Sequence, residues 1–593
     1  MCLAHKALTL TVENKNHTMI QTAKTQSSRI AWMLLALCIV TLFLFLGNTL
    51  FNTRGEPREA VVALSMLQDG NWVLPVNNGV DMAYKPPFFH WLAALCSLPL
   101  GHVTEYTARM PSAIAATIMV MAGFSFYNKR RGTALALIMA LVTLSNFEVH
   151  RAAVACRVDM VLTCMMVLSL YLLYGWMERG MKFNLKEGPW CAILCLSGAF
   201  LSKGPVGAAL PCLVVAVFGW VRQKGFLNVL WRLAVVGVLC LALPAVWYVA
   251  AYEQGGQRFL DLVYEENVLR LLGKMSYASH ENPWPYNVMT LLTGFVPYTL
   301  LAFMALFVAD WKQLCTKLGT PNQWWTRLKT YVKDMDDARL FSLLSFAIIF
   351  VFYCIPKSKR SVYLLPVYPF VAYFVAEFLL WLRHRHLRVL VAFGWTLATL
   401  TTLLTLTYVV VRMGLIPDSI VAHGKHAAQN IAMLNALRTE GIGSVIWAIP
   451  LVAVWLFVKH RHTRPLATTF TLIFCLFFAL DGVYQPPILN AKSDKPLATY
   501  IETQQPTGRV YSFRTDVNPG NPLHPFTINF YLGDRVVPFE AFMPTHGLLI
   551  VGNDEIEAFH TRYPHYRTEL VKDFDHKSCD DHKMLKLYRF GKS

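Results

Sequence analysis

About thirteen apolar runs, most of them near the length of a bilayer crossing, follow one another between residues 30 and 483. They lie near 30–50, 109–127, 131–150, 157–176, 189–203, 205–221, 228–251, 288–310, 339–355, 361–382, 387–413, 441–459 and 466–483. A crossing takes about 20 residues, fewer where tilt or snorkelling makes up the difference, so the pattern predicts a polytopic helical bundle. Composition agrees: 55% of residues are hydrophobic and 15% charged, where soluble domains carry about a quarter charged. The net charge of +18 fits basic cytoplasmic loops that orient the spans better than it fits nucleic-acid binding. Membrane lipids are expected partners and nucleic acid is not. The 13 cysteines show no CxxC pair, and most, such as Cys38 and Cys164, lie inside apolar runs as small hydrophobes.

A fourteenth run, 88–101, is short and holds His90 and Pro99. If it lies along the interface instead of crossing, the four most basic short loops (128–131, 222–224, 383–388 and 459–464) all fall in the cytoplasm with the N-terminus. That parity predicts an N-terminal cytoplasmic tail over 1–29, in which Met19 reads as an alternative start, and a transmembrane domain over 30–483. Within it, 51–108 forms a first outer loop with interfacial helices. Outer-face segments follow at 151–156, 252–287, 356–360 and 414–440, then a C-terminal domain over 484–593. Pro356–Ser361 (PKSKRS) is basic yet falls outside, which points to an anionic ligand such as phosphate. The C-terminal domain reads as small and mixed α/β. Strands are expected at Arg509–Phe513, Arg535–Phe539, Gly547–Val551 and Met584–Phe590, with helices near 494–503 and 554–562 and no catalytic motif.

Charges crowd the first outer loop: Arg54, Glu56, Arg58, Glu59, Asp69, Asp81 and Lys85. An ionised group close to a bilayer is costly unless paired or wetted, so such a cluster marks a site. Glu56-Pro57-Arg58-Glu59 starts a helix that runs to about Gln68 and ends at Asp69-Gly70. Glu56 is then either its cap or a general base. Asp159, at the outer end of the 157–176 span, is either an interfacial ion pair with Arg157 or a second acid. Lys203, in the Leu201–Pro205 turn, joins Arg58, Lys85, Arg270 and the 357–360 cluster as outer cations suited to a phosphate leaving group. His280 with Glu281 leaves a divalent metal open, and no other cofactor is indicated.

At these residues the chain resembles the ArnT-like and protein O-mannosyltransferase-like membrane glycosyltransferases of the GT-C fold. The likeness runs in order through GEPREAVVALSMLQDGNWVLP, YKPPFFHWL, TARMPSAIAA, RVDMVLT, FLSKGPVG, PAVWYVAAY and SKRSVYLLPVYP, covering about residues 30–385. It implies a polyprenyl-phosphate-linked sugar donor, an acceptor (lipid A, another glycan or protein) on the periplasmic face of a bacterial inner membrane, and inverting transfer. By position it implies catalytic roles for Glu56 and Asp159, and a phosphate cavity with Arg58, Lys85, Arg270 and Tyr363. Two positions depart from the family pattern: Gly55 stands where an acid precedes Glu56, and Tyr84 where an acid precedes Lys-Pro. A transporter or flippase of lipid-linked sugar is the alternative from another class. It predicts inverted repeats, and the GEPRE–KPP loop has no second copy.

Overall fold

The computed structural model describes residues 25–272, 274, 281–307, 321–423, 427–439, 445–513, 523–553 and 555–592. His280, the metal-ligand candidate, lies outside the described residues. The chain is mainly helical. Among the described residues, eight helices are long and apolar enough to cross a membrane, or ten if each of two bent pairs is one crossing. The first six helices are α1 (Thr25–Phe43), α2 (Gly55–Asp69), α3 (Phe88–Ser97), α4 (Glu105–Arg131), α5 (Thr133–Ser145) and α6 (Phe147–Ala153). Next come α7 (Val158–Glu178), α8 (Trp190–Lys203), α9 (Val206–Val221), α10 (Phe226–Cys240) and α11 (Ala242–Tyr264). The run at 288–310 differs from the single straight span expected: Tyr286–Gly294 and Tyr298–Leu306 meet at 104°, and Pro297 between them cannot continue the helical hydrogen bonding. α5 and α6 likewise bend by 66° at Asn146, whose side chain caps α6. Helices α8, α9 and Ile449–His460 have 14, 16 and 12 residues, short for a straight crossing.

The first outer loop is folded in detail. α2 ends as expected at Gly70, whose φ of 68° is the left-handed conformation that lets a helix stop. The 88–101 run forms the ten-residue α3, about 15 Å long and too short to cross. Buried Glu59 of α2 bonds His90 of α3 at 2.9 Å, which locks the two helices together. Between them, the chain is held by indole donors: Trp91 to the Trp72 carbonyl at 2.7 Å and Trp247 to that of Val73 at 2.9 Å. A short antiparallel pair, β1 (Val76–Asn77) with β2 (Asp81–Met82), then leads into Lys85.

At one end of the bundle the basic turns are tied to acids. Arg131 bonds Asp336 and Glu377, Arg130 bonds Glu178, and Arg222 bonds Asp337. The first outer loop and the Lys203 turn lie at the other end. The C-terminal region forms a five-stranded sheet from β3 (Val510–Ser512), β4 (Val536–Pro538), β5 (His546–Gly552), β6 (Tyr566–Lys577) and β7 (Met584–Lys592), ordered β4-β3-β5-β7-β6. β3 is parallel to β4 and β5, while β7 is antiparallel to its neighbours. β6 was not legible in the sequence because it is a charged edge strand with little burial on either face. This region docks onto the first outer loop. Ser493 donates to the Phe51 carbonyl at 2.6 Å, Tyr531 to Glu105 at 2.7 Å, and Asp534 accepts from Ser65 and the Asn78 amide.

Candidate active site

Glu56 and Glu59 share the first turn of α2, yet their surroundings differ. Arg109, reaching across from α4, donates from Nε and Nη2 to the two Glu56 oxygens at 2.8 and 3.1 Å, and the Cys156 amide adds a third bond at 2.8 Å. Arg109 is 1% exposed, and its Nη1 is occupied by the carbonyls of Leu46 and Thr49. Burial works to raise the Glu56 carboxyl, but Arg109 and these hydrogen bonds hold it below the usual range. A carboxylate so satisfied is a poor proton acceptor. It joins α2 to α4, to the loop before α7 and to the end of the first span, and it does not line the cavity described next. The structure places Glu56, expected from the sequence as cap or general base, in an ion pair with Arg109 and outside the cavity lining. Sequence spacing could not show that Arg109 would reach it from 53 residues away.

Beside this joint opens a cavity of about 770 Å³. Its walls are α2, the loop through Lys85, the start of α7, the α8–α9 turn, the end of α11 and the segment 352–363. The structure brings together here six residues singled out from separate stretches of sequence: Arg58, Lys85, Asp159, Lys203, Arg270 and Tyr363. Local causes place each one. Gly204, with φ 84°, and Pro205 break α8 from α9 and leave Lys203 at the corner. Pro86-Pro87 stop the chain before α3 and present Lys85. A π-turn over Glu265–Leu269 extends α11 and carries Glu266 and Arg270 to the wall.

Three ion pairs line the cavity. Arg58 bonds Glu59 at 2.5 Å, Arg270 bonds Glu266 at 2.5 Å, and Lys203 bonds Asp159. Lys203 also sits 4.1 Å above the Tyr363 ring, and Tyr84 donates to Glu266 at 3.0 Å. Burial would raise the Glu59 carboxyl, but Arg58, His90 and Lys85 hold it well below its usual range. Lys85 is different. Among the described residues its ammonium makes no ion pair or side-chain hydrogen bond, and burial together with nearby Arg58 pushes its pKa down to about 8. An ammonium left in a cavity without a counter-ion is arranged to receive an anion.

Comparison with known proteins gives this arrangement a context. Residues 84–248 match the family model described as dolichyl-phosphate-mannose-protein mannosyltransferase. An uncharacterised protein of Aquifex aeolicus is 28% identical over 515 residues, spanning 85% of this chain and 87% of that one. The undecaprenyl phosphate-α-4-amino-4-deoxy-L-arabinose arabinosyl transferase 2 of Proteus mirabilis is 27% identical over 363 residues, 60% of either chain. The crystal structure of ArnT from Cupriavidus metallidurans bound to undecaprenyl phosphate superposes with a TM-score of 0.68 at 18% identity, covering 94% of this chain and 97% of that one. In sequence the chain is similar to these membrane glycosyltransferases, and it shares the fold of ArnT.

Within this ArnT-like site several lining residues escaped the sequence reading. Glu59 was seen only as one charge in a cluster, and Glu266 carried no signal beyond an acidic pair. His524 and Phe526 come from the C-terminal region, which therefore contributes part of the cavity wall although no catalytic motif marks it. Arg109 did carry a signal: a lone arginine at the start of an apolar run implies a buried partner. Among the described residues, one group has metal-ligand geometry, Asp494 with Cys579 and Asp580, in the C-terminal region. The Asp494 oxygens there are already taken by His576, Ser578 and the Cys579 amide.

Proposed function

We propose that this chain transfers a sugar, with inversion, from a polyprenyl-phosphate-linked donor to a hydroxyl of a lipid A, glycan or protein acceptor on the periplasmic face of a bacterial inner membrane. One observation carries the reading: an uncommitted ammonium, Lys85, flanked by Arg58 and Arg270, in a cavity at one end of an apolar bundle. Such a place suits a phosphate whose lipid chain lies among the spans. The bound undecaprenyl phosphate of the similarly folded ArnT supports the same donor class.

Lys85, Arg58 and Arg270 hold the donor phosphate and neutralise the charge that grows as the bond to the anomeric carbon breaks. Asp159 takes the proton of the acceptor hydroxyl as its oxygen attacks that carbon, and the polyprenyl phosphate leaves with the bonding pair. Asp159 lines the cavity where Glu56 does not. Lys203, paired with Asp159 and packed over Tyr363, holds its carboxylate in place. The N-terminus is cytoplasmic and the C-terminal sheet periplasmic in this reading, with the cavity on the same side as the sheet that helps to wall it.

The test is transfer from labelled donor in membranes. Asp159→Asn is expected to lower kcat by about 10²–10⁴ with little change in donor KM, and free polyprenyl phosphate is the co-product. Turnover near that of the unaltered chain would remove Asp159 as base. Movement of intact donor without release of polyprenyl phosphate would replace the transferase reading with transport.

A further inference from the structure

Arg157 is a further cation of the cavity that makes no ion pair among the described residues. It lines the wall immediately before α7, and its guanidinium makes no hydrogen bond or ion pair among the described residues. It is not simply a neighbour of Asp159, because that carboxylate is paired with Lys203. The guanidinium lies instead over Gly55. A Cβ at residue 55 would stand 2.2 Å from Arg157 Nη2 and 2.6 Å from Cζ. Gly55 does not have positive φ, so its backbone conformation is open to any residue. What the glycine supplies is space, and Arg157 fills it.

Arg157 enters the cavity from another wall than the phosphate-site cations: it immediately precedes α7 and stands two residues before Asp159, whereas Lys85 comes from the loop before α3 and Arg270 from the turn after α11. Lys85 has Arg58, Glu59, Glu266 and Arg270 as its electrostatic neighbours. Arg157 acts electrostatically on Glu56 and on Arg360, which is repelled by Arg58 as well and attracted by Tyr363 and Asp159. Glu56 is already satisfied by Arg109 and an amide, so it does not discharge Arg157. One anion at Lys85 leaves this second cation unmatched. The sugar of a donor whose phosphate lies at Lys85 reaches outward from that phosphate.

Resting on the proposed donor class, we infer that Arg157, admitted to the cavity by Gly55, reads a second anionic group, a carboxylate on the sugar being transferred. The predicted substrate class is a polyprenyl-phosphate hexuronate in preference to the neutral hexose. Arg157 is then the specificity determinant and Gly55 its positioning residue.

The experiment measures binding to the purified full chain of four probes: undecaprenyl phosphate, its glucose ester, its glucuronate ester and its galacturonate ester. No acceptor is present, so an anion on the acceptor cannot contribute. At least one hexuronate is expected to bind about tenfold tighter than the hexose, the scale of one hydrogen bond to a charged group. Arg157→Gln and Gly55→Ala should each reduce that ratio to within about twofold while changing undecaprenyl phosphate affinity by less than about threefold. Gly55→Ala is the safer variant, since the atoms it meets are the far end of a flexible side chain. Arg157→Lys, which keeps the charge, should restore part of the ratio. Equal binding of hexose and hexuronate by the unaltered chain, or a preference that survives both variants, overturns the inference while leaving the donor class intact. Failure of undecaprenyl phosphate itself to bind overturns the donor class and the inference together. If a phosphorylated acceptor lipid, added alone, shows the Arg157-dependent preference and the hexuronates do not, the anion belongs to the acceptor and the sugar assignment falls.

Discussion

The two ends of the bundle use the same residue types in opposite ways. At one end Arg130, Arg131 and Arg222 each meet a carboxylate from another part of the chain: Glu178, Asp336 with Glu377, and Asp337. The charges cancel, and the turns between helices are clipped together. At the other end the pairs Arg58–Glu59, Arg270–Glu266 and Lys203–Asp159 surround a cavity in which Lys85 and Arg157 make no ion pair among the described residues. A matched cation is part of the scaffold. An unmatched one, kept charged at an energetic cost, implies a ligand that completes it. Pairing, more than the count of charges, separates the two.

The sharpest break of this comparison is within the cavity end itself, at the matched pair behind the wall. Glu56→Gln removes the charge opposite fully buried Arg109 and is expected to cost about 3–5 kcal/mol of stability. Loss of folded protein in a detergent melting assay should therefore precede any change in kcat of the surviving fraction. A fully folded Glu56→Gln enzyme with a selectively lowered kcat would return Glu56 to the role of base. Next in size is Lys85→Met, for which donor KM should rise by about ten- to a hundredfold, with a smaller effect on overall stability than Glu56→Gln. The pH dependence sharpens the same point. The Lys85 pKa is depressed to about 8, so its charge is present below that pH and is lost as pH rises through it. Donor affinity is thus expected to hold steady up to about pH 7 and to weaken above about pH 8, and the Lys85→Met profile should be flat in that window. The smallest effect belongs to the other end: Asp336→Asn loosens a half-exposed pair and should change stability by less than about 1 kcal/mol, with turnover within about twofold. A large loss of turnover there would mean that the two ends are coupled.

Much of the cavity was legible in the chain because each part has its own local cause. A proline pair presents Lys85, a Gly-Pro corner presents Lys203, and Asp159 opens a long apolar helix. These signals survive without knowledge of the neighbours. The partners were not legible. Glu56 has the composition of a catalytic acid and lies in the right loop, but Arg109 folds over it from a helix that begins only after α3. Arg157 resembles an interfacial snorkeller until the empty side chain of Gly55 is seen beneath it. β6 failed for another reason: at a sheet edge, solvent on both faces removes the alternation by which a strand is recognised.

By itself, then, the sequence determined a polytopic helical bundle, a non-crossing α3 after the first outer loop and a small α/β region after the last span. Apolar run length and charge placement act locally against the bilayer, so these features need no knowledge of long-range contacts. The tertiary structure alone decided which charges neutralise one another. Which cation a carboxylate meets depends on a side chain that arrives from a distant helix, as Arg109 does for Glu56 and Lys203 for Asp159. Coulomb attraction depends on distance in space, and spacing along the chain carries no record of it.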